Sequence, residues 1–212
     1  MDEFDQKMEI SEQPQEEIVE KIPGRDVYET VSSLVSALLV VVLVFTFLVR
    51  LMGVSGPSMI PTLQDGDRLL VVNSLVWSLG YEPKQGDIVV LNKTTVEHLG
   101  GVAIVKRVIA TAGQTVDIDF NLGQVYVDGE LLDEDYINDY TYREEGTVFP
   151  LTVPEGEVFL MGDNRNHSND SRDSSLGTVD TRLLIGKAVF LVFPGRDYLT
   201  EQREFGRIGL LQ

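Results

Sequence analysis

The chain has 212 residues, with 17 Lys or Arg against 34 Asp or Glu, a formal net charge of −17. That length suits one main globular domain with an appendage, and the acidic balance argues against a nucleic-acid binder, whose phosphate contacts need clustered Lys and Arg. There is no cysteine and there are only two histidines, His98 and His167, which excludes disulfides, thiolate nucleophiles, cysteine-ligated metals and a histidine-rich metal site.

Residues 1–30 carry ten acidic and three basic residues together with Pro14 and Pro23. Such a segment has too little apolar surface to form a core, so an acidic, disordered tail is expected. The twenty residues 30–49, TVSSLVSALLVVVLVFTFLV, hold no charge. As a helix this run reaches about 30 Å, the hydrocarbon thickness of a bilayer. It is apolar all round rather than striped, unlike the core helix of a soluble domain. Its length, and its position behind an acidic tail, do not suit a cleaved signal peptide. An uncleaved transmembrane anchor over residues 31–52 is therefore predicted. Lys21 and Arg25 precede it while Arg50 and Arg68 follow, so the positive-inside count assigns no orientation.

Residues 53–212 read as a mainly β domain. Short runs rich in Val, Ile and Phe recur at 67–72, 87–91, 102–109, 124–127, 156–162 and 188–193, punctuated by Gly, Asn, Asp and Pro. Asp128-Gly129 between VYV and ELL predicts a two-residue hairpin. NSLVWSL (73–79) and TRLLIG (181–186) allow only short helices. The expected fold is an antiparallel barrel-like or sandwich-like domain behind one N-terminal transmembrane helix.

Three segments carry candidate chemistry. In SGPSMIPTL (55–63), Gly56, Pro57 and Pro61 impose an irregular backbone around Ser58. Such a loop exposes a serine and leaves amides unpaired, as a nucleophile beside an oxyanion hole requires, although most Gly/Pro loops are simply turns. In VAIVKRVIA (102–110), alternation puts Lys106 on the apolar face of Val102, Ile104 and Val108. An ammonium is expensive there. A lysine so placed snorkels, pairs with a carboxylate, or gives up its proton and becomes a general base; an edge-strand solubility lysine is the plain alternative. Arg107, on the opposite face, is available for an ion pair. The third segment, MGDNRNHSNDSR (161–172), is dense in polar groups. It lacks the ladder, the sixth-position glycine and the closing Glu of a calcium loop. It reads equally as a surface loop held by its own hydrogen bonds. A Ser58–His167–Asp triad has the right residue types but nothing to fix the imidazole tautomer.

Taken together, SGPSMIPTL, GDIVVL, KRVIATAGQTVDI with VYVDGELL, and GDNRNHSNDSR, in that order behind an anchor, resemble the bacterial type I signal peptidases, particularly the short forms of Gram-positive bacteria. The resemblance covers roughly residues 31–195. It implies a membrane-bound serine endopeptidase that removes signal peptides from exported preproteins with a Ser–Lys dyad, using no metal or cofactor. It implies Ser58 as nucleophile, Lys106 as general base and Ser168 as the serine that orients the lysine. It further implies ion pairs Asp170–Arg172 and Asp163–Arg107 behind the site. Val54, Gly56, Met59, Leu63, Leu69, Val90, Ile104 and Val105 would form the substrate-binding surface, with small S1 and S3 pockets for the A-x-A pattern. The tail would be cytoplasmic, with the β domain on the outer face of the cytoplasmic membrane, in contact with lipid. Two departures stand out. Gly56 occupies a position where some members carry an oxyanion-donating serine, leaving that role to the Ser58 backbone N–H. Ala112-Gly113-Gln114 replaces the usual Pro-Gly-Asp.

Two other functions compete. A Ser–Lys self-cleaving regulator of the SOS-repressor type conflicts with the anchor and the missing basic DNA-binding segment. A membrane-tethered, non-catalytic binding module on the same fold would have no use for a buried lysine opposite a serine.

Overall fold

A computed structural model describes residues 24–79, 82–92 and 103–211. Residues 1–23 of the acidic tail, with Val102 and His98, lie outside the described residues. Two compact units, residues 1–41 and 42–212, divide the chain.

The first unit contains most of helix α1 (Arg25–Leu43). It begins six residues before the predicted anchor because its first turn is well supplied. Asp26 lies at the positive end of the helix dipole, and Arg25 Nε pairs with Glu29 Oε1 at 2.7 Å, one turn on. The helix runs into a π-type turn, Val44–Leu48. Arg25–Leu48 spans 24 residues with a mean hydropathy of 2.7 in its most apolar window, none of which is buried by protein. Among the described residues it is the one helix long and apolar enough to cross a membrane.

The predicted anchor end at residue 52 needs correction. Strand β1 (Val49–Gly53) takes up the last of that apolar run and pairs antiparallel with β2 (Arg68–Asn73), from Val49↔Val72 to Gly53↔Arg68. An apolar run has no period of its own to separate helix from strand. The waiting edge of β2 decides it.

The larger sheet runs β1-β2-β11-β3-β4-β9-β10, with β12 also on β11. Its other members are β3 (Ile88–Asn92), β4 (Ala103–Thr111), β9 (Glu157–Met161), β10 (Val179–Asp180), β11 (Leu184–Phe193) and β12 (Gly209–Leu210). A smaller sheet, β7-β6-β5-β8, comprises β5 (Thr115–Asp119), β6 (Gln124–Val127), β7 (Glu130–Leu131) and β8 (Leu151–Thr152). The pairings are antiparallel, and register shifts within β4–β9, β11–β2 and β11–β3 bend the larger sheet. The β6–β7 hairpin forms at Asp128-Gly129, whose φ values of 54° and 82° are those of a I′ turn. The two short helices form as 3-10 turns, Ser74–Leu79 and Thr181–Leu183. Strand β11 starts at Leu184, four residues earlier than the run at 188–193 suggests.

Strand alternation sorts the core. Ile88, Val90 and Val105 pack with Val54, Met59, Leu63 and Leu69 in one cluster. Val89, Leu91, Val108 and Leu160 pack with Val179 and Leu184 in a second. A third cluster, built around Ile109, Val116, Val125 and Phe159, fastens the smaller sheet to the larger.

Candidate active site

The loop joining β1 to β2 carries Ser58. Its neck is closed where Val54 N donates to Asp67 O (2.8 Å) and Gly66 N to Val54 O (3.0 Å). Inside, Leu63 N donates to Met59 O (2.8 Å), and both side chains are sunk into the first core cluster. The loop is thus pinned by its own apolar residues, while Ser58 stays half-buried between core and surface. Gly56 N is taken by Asp65 Oδ1 at 2.8 Å.

Lys106 lies on β4 opposite Val89 and is only 3% exposed. Its Nζ is 2.8 Å from Ser58 Oγ. β4 pairs with β3 over Ala103–Arg107, but with β9 only from Arg107↔Met161 onward. Among the described residues, therefore, no strand pairs with 103–106 on the β9 side.

The polar segment after β9 closes round this pair. Asn164 N donates to Ser58 O (3.0 Å) and Asn164 Nδ2 to Pro57 O (3.1 Å), which fixes the carbonyls of the Ser58 loop. Gly162 leaves space: a Cβ there would stand 2.4 Å from Ser58 O and 2.3 Å from Ser168 Oγ. Asp163 takes both Nε (2.9 Å) and Nη2 (2.8 Å) of Arg107, and accepts from Thr62 Oγ1 at 2.5 Å. Asp170 takes Nε (2.8 Å) and Nη2 (2.9 Å) of Arg172 together with Gly162 N (2.9 Å). Burial pushes the Asp170 carboxyl up, but the Arg172 hydrogen bonds and charge outweigh it and hold it below the ordinary carboxylate range. The same pairing raises Arg172 against the effect of its burial.

A third buried guanidinium, Arg165, bonds to Glu134, to Thr141 Oγ1 (3.0 Å) and to Gly162 O (3.2 Å). Tyr136 lies 3.9 Å beneath the Arg107 guanidinium and 5.9 Å from that of Arg165. Burial and then Glu134 push its hydroxyl up to about 12, so it stays neutral.

Ser58, Lys106, Asp163, Arg107, Asp170 and Arg172 are thus drawn into one contiguous assembly. Ser168 is buried beside them, but the expected bond from its hydroxyl to Lys106 is not formed. It faces Asp170 closely enough to help hold that carboxyl down, yet makes no hydrogen bond of ordinary geometry among the described residues. His167 is exposed, its Nδ1 3.3 Å from Asn164 Oδ1. No His167–Ser58 hydrogen bond forms among the described residues, so the triad alternative has no geometry behind it. Of the eight residues assigned to substrate, Val54, Met59, Leu63, Leu69, Val90 and Val105 share one cluster. Leu63 and Leu69 have no exposed surface and serve as core, whereas Val54 and Val105 keep 7% and 8%. Ile104 packs against the second cluster instead, because neighbours along a strand face opposite ways.

Asn164, Arg165, Glu134, Tyr136 and Thr62 were not singled out from the sequence. Asn164 and Arg165 stand inside the polar segment that was, so position in the motif was their available signal. Glu134 and Tyr136 sit in the irregular stretch after β7 with no period to mark them.

A serine hydroxyl hydrogen-bonded to a buried amine is an arrangement that a serine hydrolase with a lysine base would need. Residues 27–193 match the family described as signal peptidase, peptidase S26. Among curated relatives, the probable signal peptidase I-1 of Synechocystis sp. is 38% identical over 81% of this chain and 85% of its own length. Signal peptidase I T of Bacillus subtilis is 37% identical over 76% and 83%. Signal peptidase I of Bacillus amyloliquefaciens is 33% identical over 90% and 97%. A crystal structure of a signal peptidase I from Enterococcus faecalis aligns at 30% identity with a TM-score of 0.41, covering 50% of this chain and 97% of that one. The chain belongs to the signal peptidase family, peptidase S26.

Proposed function

We propose that this chain is a membrane-anchored signal peptidase that cleaves A-x-A-type sites by acyl transfer through Ser58 and Lys106. The observation that carries the reading is the 2.8 Å contact between Lys106 Nζ and Ser58 Oγ on a lysine almost without solvent. In such surroundings the neutral amine is favoured over the ammonium. The neutral amine takes the Ser58 hydroxyl proton as Oγ attacks the scissile carbonyl. The resulting ammonium returns that proton to the leaving amine as the C–N bond breaks. Water, deprotonated by the same amine, then hydrolyses the ester. The Ser58 N–H is the candidate donor to the tetrahedral oxygen. The β4 stretch 103–105, which lies before the start of the β9 pairing at Arg107, would line an extended substrate, with the slightly exposed Val54 and Val105 facing a small side chain. The apolar helix would hold the enzyme at the membrane where an exported signal sequence also lies, with the β domain on the extracytoplasmic face and lipid as its neighbour.

The test is cleavage of a peptide ending its signal portion in A-x-A by wild type, Ser58→Ala and Lys106→Ala, with circular dichroism as a check on folding. Each substitution is expected to lower kcat by at least about 10²-fold. Replacing Ala before the scissile bond by Leu is expected to cost about 1–3 kcal/mol in kcat/KM. Near-wild-type turnover in Lys106→Ala would remove the dyad and favour a non-lysine base. A correctly folded wild type that leaves all peptides intact would favour the tethered binding module.

A further inference from the structure

The nucleophile loop is gripped from a second quarter, by the segment that follows β11. Asp67, at the loop's neck, is fully buried. Its Oδ1 accepts from Gly195 N (2.5 Å) and Arg207 Nη1 (3.2 Å), and its Oδ2 from Gln64 N (2.8 Å) and Arg207 Nη2 (2.7 Å). Arg207 Nη2 also donates to Thr62 O at 3.1 Å. Gly195 lies so close that a Cβ there would stand 2.0 Å from Asp65 O and 2.8 Å from Asp67 N. The guanidinium is delivered from a fixed backbone, because β12 pairs with β11 through Phe190↔Leu210 and Leu191↔Gly209 just beyond it. Leu211 N then donates to Val189 O at 3.0 Å. Thr62 and Asp67 of the Ser58 loop are therefore tied to Gly195 and Arg207, and Gln64 is held through Asp67.

We infer that Arg207 is a positioning residue for the reaction. Through Asp67 and the Thr62 carbonyl it fixes the loop that presents Ser58 to Lys106, without touching either. This rests on the Ser58–Lys106 peptidase reading. Thr62 is four residues past Ser58, inside the turn closed by Leu63 N and Met59 O, so slack at Thr62 passes directly to the nucleophile. Displacement of a reacting group by about 1 Å suffices for a 10²-fold loss. Only a planar fork spans both Asp67 oxygens and a carbonyl together; a lysine ammonium does not.

The experiment uses the full chain in detergent micelles and compares Arg207→Ala and Arg207→Lys with Arg203→Ala. Arg203 Nη1 bonds Pro194 O at 2.6 Å in the same segment but makes no hydrogen bond or ion pair with the loop among the described residues, so it controls for general loosening. Arg207→Ala is expected to lose about tenfold or more in kcat with KM within about twofold, Arg207→Lys to recover little, and added methylguanidinium to restore part of the rate. Amide exchange in residues 55–66 should quicken in Arg207→Ala and stay unchanged in Arg203→Ala. Undiminished kcat in Arg207→Ala, or an equal loss in Arg203→Ala, overturns the inference. Wild-type failure to cleave would strike the peptidase reading instead. In that event unchanged exchange at 55–66 would still overturn the hold of Arg207 on the loop.

Discussion

Gly162→Ala tests the packing of the site with a single carbon atom. The new Cβ would lie 2.3 Å from Ser168 Oγ, 2.6 Å from Ser168 Cβ and 2.4 Å from Ser58 O. Ordinary carbon–oxygen contacts begin near 3.3 Å, so one side must give by about 1 Å. Gly162 itself is held, its N–H on Asp170 Oδ2 at 2.9 Å and its carbonyl under Arg165 Nε at 3.2 Å. The Ser58 carbonyl is the freer partner, restrained by Asn164 N at 3.0 Å, and moving it moves Ser58, the proposed nucleophile. A shift of that size predicts a fall in kcat of roughly 10²-fold. Overpacking predicts about 1–3 kcal/mol of lost stability. At roughly 2–4 °C per kcal/mol for a domain of this size, Tm should fall by no more than about 12 °C. Peptide cleavage and thermal unfolding measured on the same preparation separate the two effects. The double variant Gly162→Ala/Ser168→Ala relieves the hydroxyl clash but not the one with Ser58 O, so it should remain slow. A single variant within twofold of wild-type kcat would refute the reasoning.

Two further outcomes follow from the charges and the strand boundary. Burial raises the Glu145 carboxyl above its ordinary value despite Arg172 and Arg143, so the folded state binds its proton more tightly than the unfolded chain. Its contribution is fully present below the unfolded pKa and lost as pH rises through the folded one; Glu145→Gln should flatten that loss and leave Tm at pH 7 unchanged or higher, and a Tm fall confined to neutral pH would contradict it. A chain starting at residue 44 keeps β1 and should unfold cooperatively, whereas one starting at residue 53 loses the Val49–Met52 pairings and the partly buried Met52. Equal denaturant midpoints for the two would show that β1 contributes nothing.

The sheet was legible where apolar runs were short and interrupted. DIVVL and QVYV fell on β3 and β6, and Asp128-Gly129 marked its turn through two positive φ values. β1 was hidden because Val49–Met52 continue the helix's apolar run with only Arg50 to interrupt it, and pairing with β2 is information from elsewhere in the chain. Ser58 and Lys106 stood out because each broke its local context, a serine amid prolines and a lysine amid valines. Asp67 and Arg207 broke nothing locally and meet only through folding, 140 residues apart. Ile104 and Val105, both named for the substrate surface, pack on different core clusters because neighbours along a strand face opposite ways.

Three arginines, Arg107, Arg165 and Arg172, are almost wholly buried around the polar segment after β9. A guanidinium withdrawn from water without its carboxylate costs several kcal/mol, so each intermediate in which one partner has arrived and the other has not is penalised. Two of the three partners come from afar: Arg107 meets Asp163 across 56 residues and Arg165 meets Glu134 across 31, whereas Arg172 finds Asp170 two residues away. Contacts of such span form late, after local turns and hairpins. The consequence is temporal. The polar segment that clamps Ser58 cannot settle piecemeal, so hydrolytic competence arrives only with the completed domain, and a half-folded copy is poorly equipped to cut its own kind.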